Sequence, residues 1–295
     1  MKKRVIALLL TAILVMGALV ACGTKDDAVT GTSESKKDDK TGTSRIEQIK
    51  KDGKIRIGVF SDKSPFGYVD ANGDNQGFDV YIAKRFAKDL IGDENAVEFV
   101  LVEAASRVEY LTTGKVDIIL ANFTVTDERA EVVDFANPYM VCALGVVSPD
   151  GAPITSADEF AGKTLIVNKG TTAEIYLREN YPDVELLAFD ENTEAFNALK
   201  DGRGDALVHD NTLLFAWALE NAGFTVGIEA MGNQDTIAPA VKKGDTELLE
   251  WINKELESLG KENFIHEAYD ATLKPVYGDT VNPESVVVEG GVVNN

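Results

Sequence analysis

Short apolar runs alternate with amphipathic helical patterns from residue 45 onward, and this alternation restricts the fold more than any other feature of the sequence. Phe78, Ile82, Phe86 and Leu90 recur with the period of a helix, whereas residues 116–121 have the length of a buried strand. This order predicts parallel α/β sheets, in which ligands bind at the carboxyl ends of the strands. The other predicted strands are residues 54–60, 97–102, 164–168, 184–188 and 205–208, and the other predicted helices include residues 171–180, 193–200 and 211–219.

Two extended segments indicate that the chain crosses between two lobes. The first is the apolar run of residues 139–148, which precedes a Pro-Asp-Gly-Ala-Pro turn, and the second is residues 236–241. Two strands that join two α/β lobes form a hinge with a cleft beside it. The alternative is one doubly wound domain. The predicted organisation is lobe 1 at residues 45–147 and 237–278, lobe 2 at residues 148–236, and a C-terminal tail at residues 279–295.

The N-terminus has the pattern of an export signal. Three basic residues at positions 2–4 precede the apolar run of residues 5–20, and small residues follow. The sequence Leu-Val-Ala-Cys at residues 19–22 resembles the bacterial lipobox, in which the signal is removed before the cysteine and the cysteine receives lipid. The resemblance implies a signal peptide at residues 1–21 and a lipidated Cys22 that anchors an extracytoplasmic protein to the bacterial cell membrane. The alternative is an ordinary signal peptide with a chance cysteine.

Composition restricts both the next segment and the partners. Residues 22–44 contain few large apolar side chains and many Gly, Ser, Thr, Asp and Lys, which is typical of a disordered tether. The whole chain has 49 acidic residues against 29 Lys and Arg, a formal net charge of −20 that disfavours nucleic acid as a partner. Two cysteines, two histidines and the lack of a nucleotide-binding glycine pattern predict no metal and no other cofactor.

Six motifs in order along the chain carry a family resemblance. They run from residue 58 to residue 210, and the sequence resembles the family 3 extracellular solute-binding proteins, which are the polar amino-acid receptors of ABC importers. The resemblance covers about residues 45–278 and implies a two-lobed periplasmic-binding-protein-like fold of type II. The motifs are residues 58–68, 77–84, 117–129, 133–139, 170–172 and 204–210.

The resemblance assigns one end of an amino-acid ligand to a set of donors. A free amino acid presents a carboxylate, for which the planar guanidinium of an arginine is well suited. In the family, the arginine of the Thr-x-Thr-Asp-Glu-Arg stretch holds this carboxylate, which implies that role for Arg129. A solvated Arg129 paired with an acidic neighbour on its helix is the alternative. Thr124, Asn122 and the second-lobe segment Gly170, Thr171 and Thr172 are expected to supply further contacts, although Thr171 could simply cap a helix.

The ligand ammonium needs an acidic group, and the resemblance implies Asp210 for that role. As an isolated residue, Asp210 could equally be the N-cap of the helix that starts at residue 211. Since the two sets of contacts come from opposite lobes, a ligand would bridge the cleft and favour closure.

The pocket for the ligand side chain departs from the family pattern. Receptors for basic amino acids and glutamine place aromatic rings at two positions that correspond to Lys63 and Ala104 here. Lys63 and Arg107 instead bring positive charge, which favours an anionic or thiol-bearing ligand unless both point to solvent. Because the whole chain also resembles the cysteine-binding branch, cysteine is the first expected ligand, and aspartate, glutamate or glutamine is the alternative.

The predicted protein is a monomeric, non-enzymatic receptor that delivers its ligand to an ABC permease with a separate ATPase. Two other classes are the alternatives: an enzyme of the cyclohexadienyl-dehydratase type on the same fold, and a surface sensor or adhesin. Cys142 with His209 as its base would suit an enzyme, but Cys142 lies in an apolar run and is predicted to be a buried thiol. Trp217 and Trp251 lie on apolar helix faces and are predicted to be core residues.

Overall fold

The computed structural model describes residues 44–293, so the predicted signal peptide, Cys22 and almost all of the predicted tether lie outside the described residues. The helices are α1 (Arg45–Asp52), α2 (Phe78–Ile91), α3 (Arg107–Thr112), α4 (Asp127–Val132), α5 (Thr172–Asn180), α6 (Asn192–Lys200), α7 (Asn211–Glu220), α8 (Thr246–Gly260), α9 (Phe264–Thr272) and α10 (Lys274–Tyr277). The strands are β1 (Ile55–Val59), β2 (Asp62–Lys63), β3 (Gly67–Val69), β4 (Asn75–Gln76), β5 (Val97–Leu101), β6 (Ile118–Ile119), β7 (Val133–Phe135), β8 (Met140–Pro149), β9 (Thr164–Asn168), β10 (Glu185–Phe189), β11 (Ala206–Asp210), β12 (Phe224–Ile237) and β13 (Ala240–Lys242).

The strands form two five-stranded sheets, one for each lobe. The sheet of the first lobe has the order β5-β1-β6-β13-β7, and that of the second lobe has the order β10-β9-β11-β8-β12. A small antiparallel sheet of β2, β3 and β4 extends from the first lobe, and β2 holds Lys63 at the cleft between the lobes. This two-lobed α/β arrangement confirms the predicted fold class.

Both sheets are mixed, which corrects the expectation of purely parallel sheets. The six strands that the sequence predicted do pair in parallel, as β5-β1-β6 and as β10-β9-β11. The antiparallel pairs come from the segments that cross between the lobes: β8 and β12 in the second sheet, and β13 in the first. A strand that leaves a lobe and one that returns run in opposite directions, so the crossing segments add antiparallel pairs to each sheet.

The crossing between the lobes is made by β8 and β12, and the C-terminal segment lies against it. Met140 pairs with Ile237, and Cys142 pairs with Asp235. On the other edge of β8, the amide N of Val141 donates to the carbonyl O of Val286 at 2.8 Å, and Met140 forms an antiparallel bridge with Val287. Part of the predicted tail therefore runs antiparallel to β8 beside the crossing and is held there by a β-bridge.

The cores form as the apolar patterns predicted. Trp217 stacks on Phe196 with ring centroids 4.6 Å apart, and Trp251 meets Phe86 edge-on at 5.7 Å. Both tryptophans pack against the largest hydrophobic cluster, in agreement with the prediction that they are core residues. Among residues 44–293, no helix combines the length and the apolar character that a membrane crossing requires.

Candidate functional site

All nine predicted ligand-binding residues meet at the closed cleft between the two lobes. Eight of them line one small cavity of about 10 Å³, and the carbonyl of the ninth, Gly170, accepts hydrogen bonds beside it. The first lobe contributes Lys63 from β2, Arg107 from the start of α3, Asn122 and Thr124 from the loop after β6, and Arg129 from α4. The second lobe contributes Gly170, Thr171 and Thr172 at the start of α5, and Asp210 at the end of β11.

Two buried guanidinium groups lie side by side in the cleft. Arg129 donates to the carbonyl O of Thr124 at 2.6 Å and to that of Gly170 at 2.9 Å. Arg107 donates to the carbonyl groups of Ala104, Ala121 and Asn122, and to Gly170 O at 3.3 Å. All of these acceptors are neutral. Burial lowers the pKa of Arg129 to about 10, and burial together with the charge of Arg129 lowers the pKa of Arg107 well below its ordinary value. A carboxylate would relieve both charges.

Aromatic rings support these cations and were not predicted as part of the site. The Cζ atoms of Arg107 and Arg129 lie 4.4 and 4.8 Å from the ring centroid of Phe123. Phe60 lies 5.3 Å from the ammonium of Lys63 and 5.6 Å from the guanidinium of Arg107. A negative ring face stabilises a nearby cation. Both rings lie within family motifs, at residues 58–68 and 117–129, close in sequence to the predicted site residues.

An ion pair between Lys63 and Asp210 spans the cleft. The ammonium N of Lys63 lies 3.0 Å from Oδ2 of Asp210, and the two side chains are 2% and 5% exposed. Burial alone would raise the pKa of Asp210, but the charges of Lys63 and His209 outweigh it and hold the pKa well below the ordinary value. Asp210 occupies the N-cap position of α7, yet its side chain makes no capping hydrogen bond. Its carboxylate therefore faces the cleft.

Asn122 presents an amide to the cavity that has no partner among the described residues. The side chain is buried, and the backbone has a φ of 45°, a conformation that asparagine tolerates better than most residues. The backbone N–H of Asn122 donates to Oδ2 of Asp79 at 2.9 Å, which holds this turn in place. Since buried polar groups are usually paired, the side-chain amide of Asn122 is a candidate ligand contact.

The loop before α5 fits closely against the first lobe. A Cβ on Gly170 would lie 2.6 Å from Cα of Ala105, and the φ of Gly170 is 72°, so both space and backbone conformation require glycine here. Thr171 accepts a hydrogen bond from the amide N of Glu174 at 3.3 Å, so it does cap the helix, as the structural alternative proposed. The hydroxyl of Thr171 also donates to Asn168 O.

Asp79 lies beneath the site as a fully buried carboxyl. It accepts from the hydroxyl of Tyr139 at 2.7 Å and from the amide N of Asn122. Burial raises the pKa of Asp79 to about 6, although these hydrogen bonds and the charge of Lys63 act in the opposite direction. Between about pH 4 and pH 6, the carboxyl of Asp79 therefore keeps its proton in the folded protein, whereas the unfolded chain has already released it.

The raised pKa of Asp79 predicts that stability falls as the pH rises from about 4 to about 7. Over this range the native state binds more protons than the unfolded state, and the shift is equivalent to about 3 kcal/mol. We expect Asp79→Asn to flatten this part of the stability profile, because an amide cannot ionise. Urea unfolding at several pH values would measure it, with the exposed Asp74→Asn as the control that keeps the wild-type slope. Parallel profiles for the Asp79 variant and wild type would contradict the assignment.

The features that suggested an enzyme are buried or incomplete. Cys142 is a free, buried thiol, and burial raises its pKa well above the ordinary value. Burial and the charge of Lys63 lower the pKa of His209, whose Nδ1 accepts from the amide N of Asp210 at 2.7 Å. Residues 44–293 contain no cluster of three or more His, Cys, Asp and Glu that could hold a metal ion.

Two α/β lobes that close on opposed buried charges define the class of two-lobed periplasmic binding proteins. The family model for bacterial extracellular solute-binding proteins, family 3, matches residues 55–274. The chain belongs to this family, which confirms the resemblance found in the sequence.

Individual relatives of this chain are amino-acid-binding proteins, as the family assignment predicts. The ABC transporter glutamine-binding protein of Bacillus subtilis (strain 168) is 34% identical over 277 residues, which cover 92% of this chain and 98% of the relative. The crystal structure of the solute receptor for L-cysteine of Neisseria gonorrhoeae is 59% identical, with a TM-score of 0.82 over 83% of this chain and 99% of that one. The cysteine-binding protein of Campylobacter jejuni is 58% identical, with a TM-score of 0.83 over 84% and 100% of the two chains. All three are binding proteins, and this chain is accordingly an amino-acid-binding protein and not an enzyme.

Proposed function

We propose that this protein is the ligand-binding component of an ABC importer and that its ligand is L-cysteine. The single observation that carries the choice of ligand is the identity of 58–59% to two receptors described as binding cysteine, over nearly their whole length. The glutamine-binding relative is 34% identical, so glutamine is the weaker candidate.

The distribution of charge in the cleft supports the binding mode. In our proposal, Arg129 holds the ligand carboxylate from the first lobe, with Thr124 and Asn122 beside it. The loop at residues 170–172 approaches the same group from the second lobe, and Asp210 receives the ammonium. A ligand that bridges the lobes in this way stabilises the closed state by its differential affinity for it.

The sequence and the family support a proposal for the setting of the receptor. We propose that Cys22 carries a lipid anchor on the outer side of the bacterial membrane and that the closed lobes dock on a permease. A separate ATPase would supply the energy, because the sequence contains no phosphate-binding loop of its own. Loss of cysteine uptake in a deletion strain would separate transport from a purely sensory or adhesive role.

A thermal-shift screen against the twenty amino acids, under reducing conditions, tests the ligand. Binding to the native state raises the melting temperature by mass action, and a hundredfold excess over Kd stabilises by about 2.7 kcal/mol. We expect a shift of several degrees with L-cysteine and a much smaller one with L-serine. A shift with glutamate, aspartate or glutamine in place of cysteine would reassign the ligand, and no shift with any amino acid would contradict the proposal.

A further inference from the structure

Lys63 occupies the place at Asp210 that a ligand ammonium needs. Its side chain is 2% exposed, and Asp210 is its ion-pair partner in this closed structure. The small remaining cavity has room for about one water molecule. A ligand ammonium that binds Asp210 competes with the ammonium of Lys63 for one carboxylate, so Lys63 loses part or all of its counter-charge inside the closed cleft.

The charged groups around Lys63 offer no second carboxylate of this kind within residues 44–293. Arg107 and Arg129 on the first lobe are cations, and His209 on the second lobe is buried beside Asp210. Both carboxylate oxygens of Asp79 already accept hydrogen bonds, from Tyr139 and from the amide N of Asn122. Asp235 on β12 is only partly buried, and no ion pair joins it to Lys63 among the described residues.

The charge balance of the cleft also favours a ligand with a negatively charged side chain. Three buried cations, Lys63, Arg107 and Arg129, face the buried carboxylates Asp210 and Asp79. The carboxyl of Asp235, near Arg129, is only half-buried. A zwitterionic ligand adds no net charge, so it leaves an excess of positive charge in the fully buried part of the site. Since buried charge without a partner is strongly unfavourable, a ligand with one further negative charge fits best.

We propose that Lys63 is the specificity-determining residue of the side-chain pocket and that it selects cysteine in its thiolate form. This inference rests on the proposed function. On binding, the ammonium of cysteine replaces Lys63 at Asp210, the thiol S–H bond breaks heterolytically, and the proton passes to solvent buffer. The thiolate then pairs with the displaced ammonium of Lys63. Serine, which has the same shape but does not ionise in this range, leaves Lys63 without a partner.

Proton release on cysteine binding tests directly, on the wild-type protein, whether cysteine binds as a thiolate. The cysteine side chain has an ordinary pKa of about 8.5, so nearly all free cysteine is a thiol at neutral pH. Calorimetry at pH 7 in buffers of different ionisation enthalpy should show release of about one proton per cysteine bound, and the ultraviolet absorbance of a thiolate should appear on binding. The affinity for cysteine should rise about tenfold for each pH unit below the thiol pKa and level off above it. The pH profile for serine reports the protein groups alone.

A pair of lysine variants assigns the effect to Lys63. Lys63→Gln should weaken cysteine binding at least tenfold, abolish proton release and strengthen the weak binding of serine, because no ammonium is then left buried without a partner. Lys54→Gln, at an exposed lysine on the first lobe, should behave as wild type. Cysteine binding without proton release would overturn the thiolate assignment and leave the proposed function intact, whereas a failure to bind cysteine at all would overturn the proposed function. Full proton release in Lys63→Gln would overturn the role of Lys63.

Discussion

Arg129→Ala is expected to weaken cysteine binding at least about a hundredfold, because it removes the cation from a buried, charge-assisted contact. Its effect on folding should be small by comparison. The guanidinium is held by the neutral carbonyl groups of Thr124 and Gly170, and it makes no ion pair with any carboxylate in residues 44–293. Removing it takes away a buried charge as well as two hydrogen bonds, and these two changes oppose each other.

Calorimetric titration with cysteine and thermal unfolding without ligand would measure the two effects separately. Arg203→Ala is a matched control, because Arg203 is exposed in the second lobe, on the loop between α6 and β11. The control should bind cysteine normally. An Arg129 variant that folds and keeps wild-type affinity would show that this arginine does not hold the ligand.

Asp210→Asn is expected to abolish detectable binding and to destabilise the unliganded protein by about 3 kcal/mol. The loss of binding follows because a neutral amide no longer attracts the ligand ammonium. The loss of stability follows because the ammonium of Lys63 remains buried without a counter-charge. Urea unfolding and calorimetry together would measure both.

The double variant Lys63→Met with Asp210→Leu supplies the control for that prediction. Replacing both members of a buried ion pair by apolar groups of similar size is often neutral for folding, so this variant should recover most of the stability but none of the binding. An Asp210→Asn variant as stable as wild type would contradict the energetic role of the pair.

The contribution of Asp210 to stability also has a defined pH dependence. Its folded-state pKa is lowered, so the contribution is fully present above the unfolded pKa of about 3.9 and is lost as the pH falls through the folded-state value. The difference in stability between wild type and Asp210→Asn should therefore be constant near neutral pH and shrink in acid.

The sequence contained enough information to place the central strands and the residues around the cleft, for identifiable reasons. The strands β1, β9 and β11 are short apolar runs, and the polar motifs follow them where a parallel sheet gathers its ligand-binding loops. The residues at the cleft could be named because the family motifs include them. The roles assigned to each of them stay predictions until a ligand is bound.

Other features depend on long-range packing that no local pattern reports. Most of β12 was missed because its half-exposed polar residues and its register shifts hide the alternation expected of a strand. The pairing of Lys63 with Asp210 joins residues 147 positions apart, and neither neighbourhood in sequence suggests the other. The contact of the C-terminal segment with β8 likewise arises from the tertiary fold.

The extended segment at residues 286–288, which is bridged to β8 at Met140, changes how the two lobes can move. Around Met140, β8 is held on one edge by β12 and on the other by this segment, so bending at that point would break pairing on both sides. Farther along, the register of β12 shifts between Met231 and Asp235, and fewer ladder bonds restrain the backbone opposite Ala143. We therefore expect the hinge axis to lie on the side of the second lobe. The first lobe and the C-terminal segment would then move as one rigid body, and the second lobe would rotate relative to them.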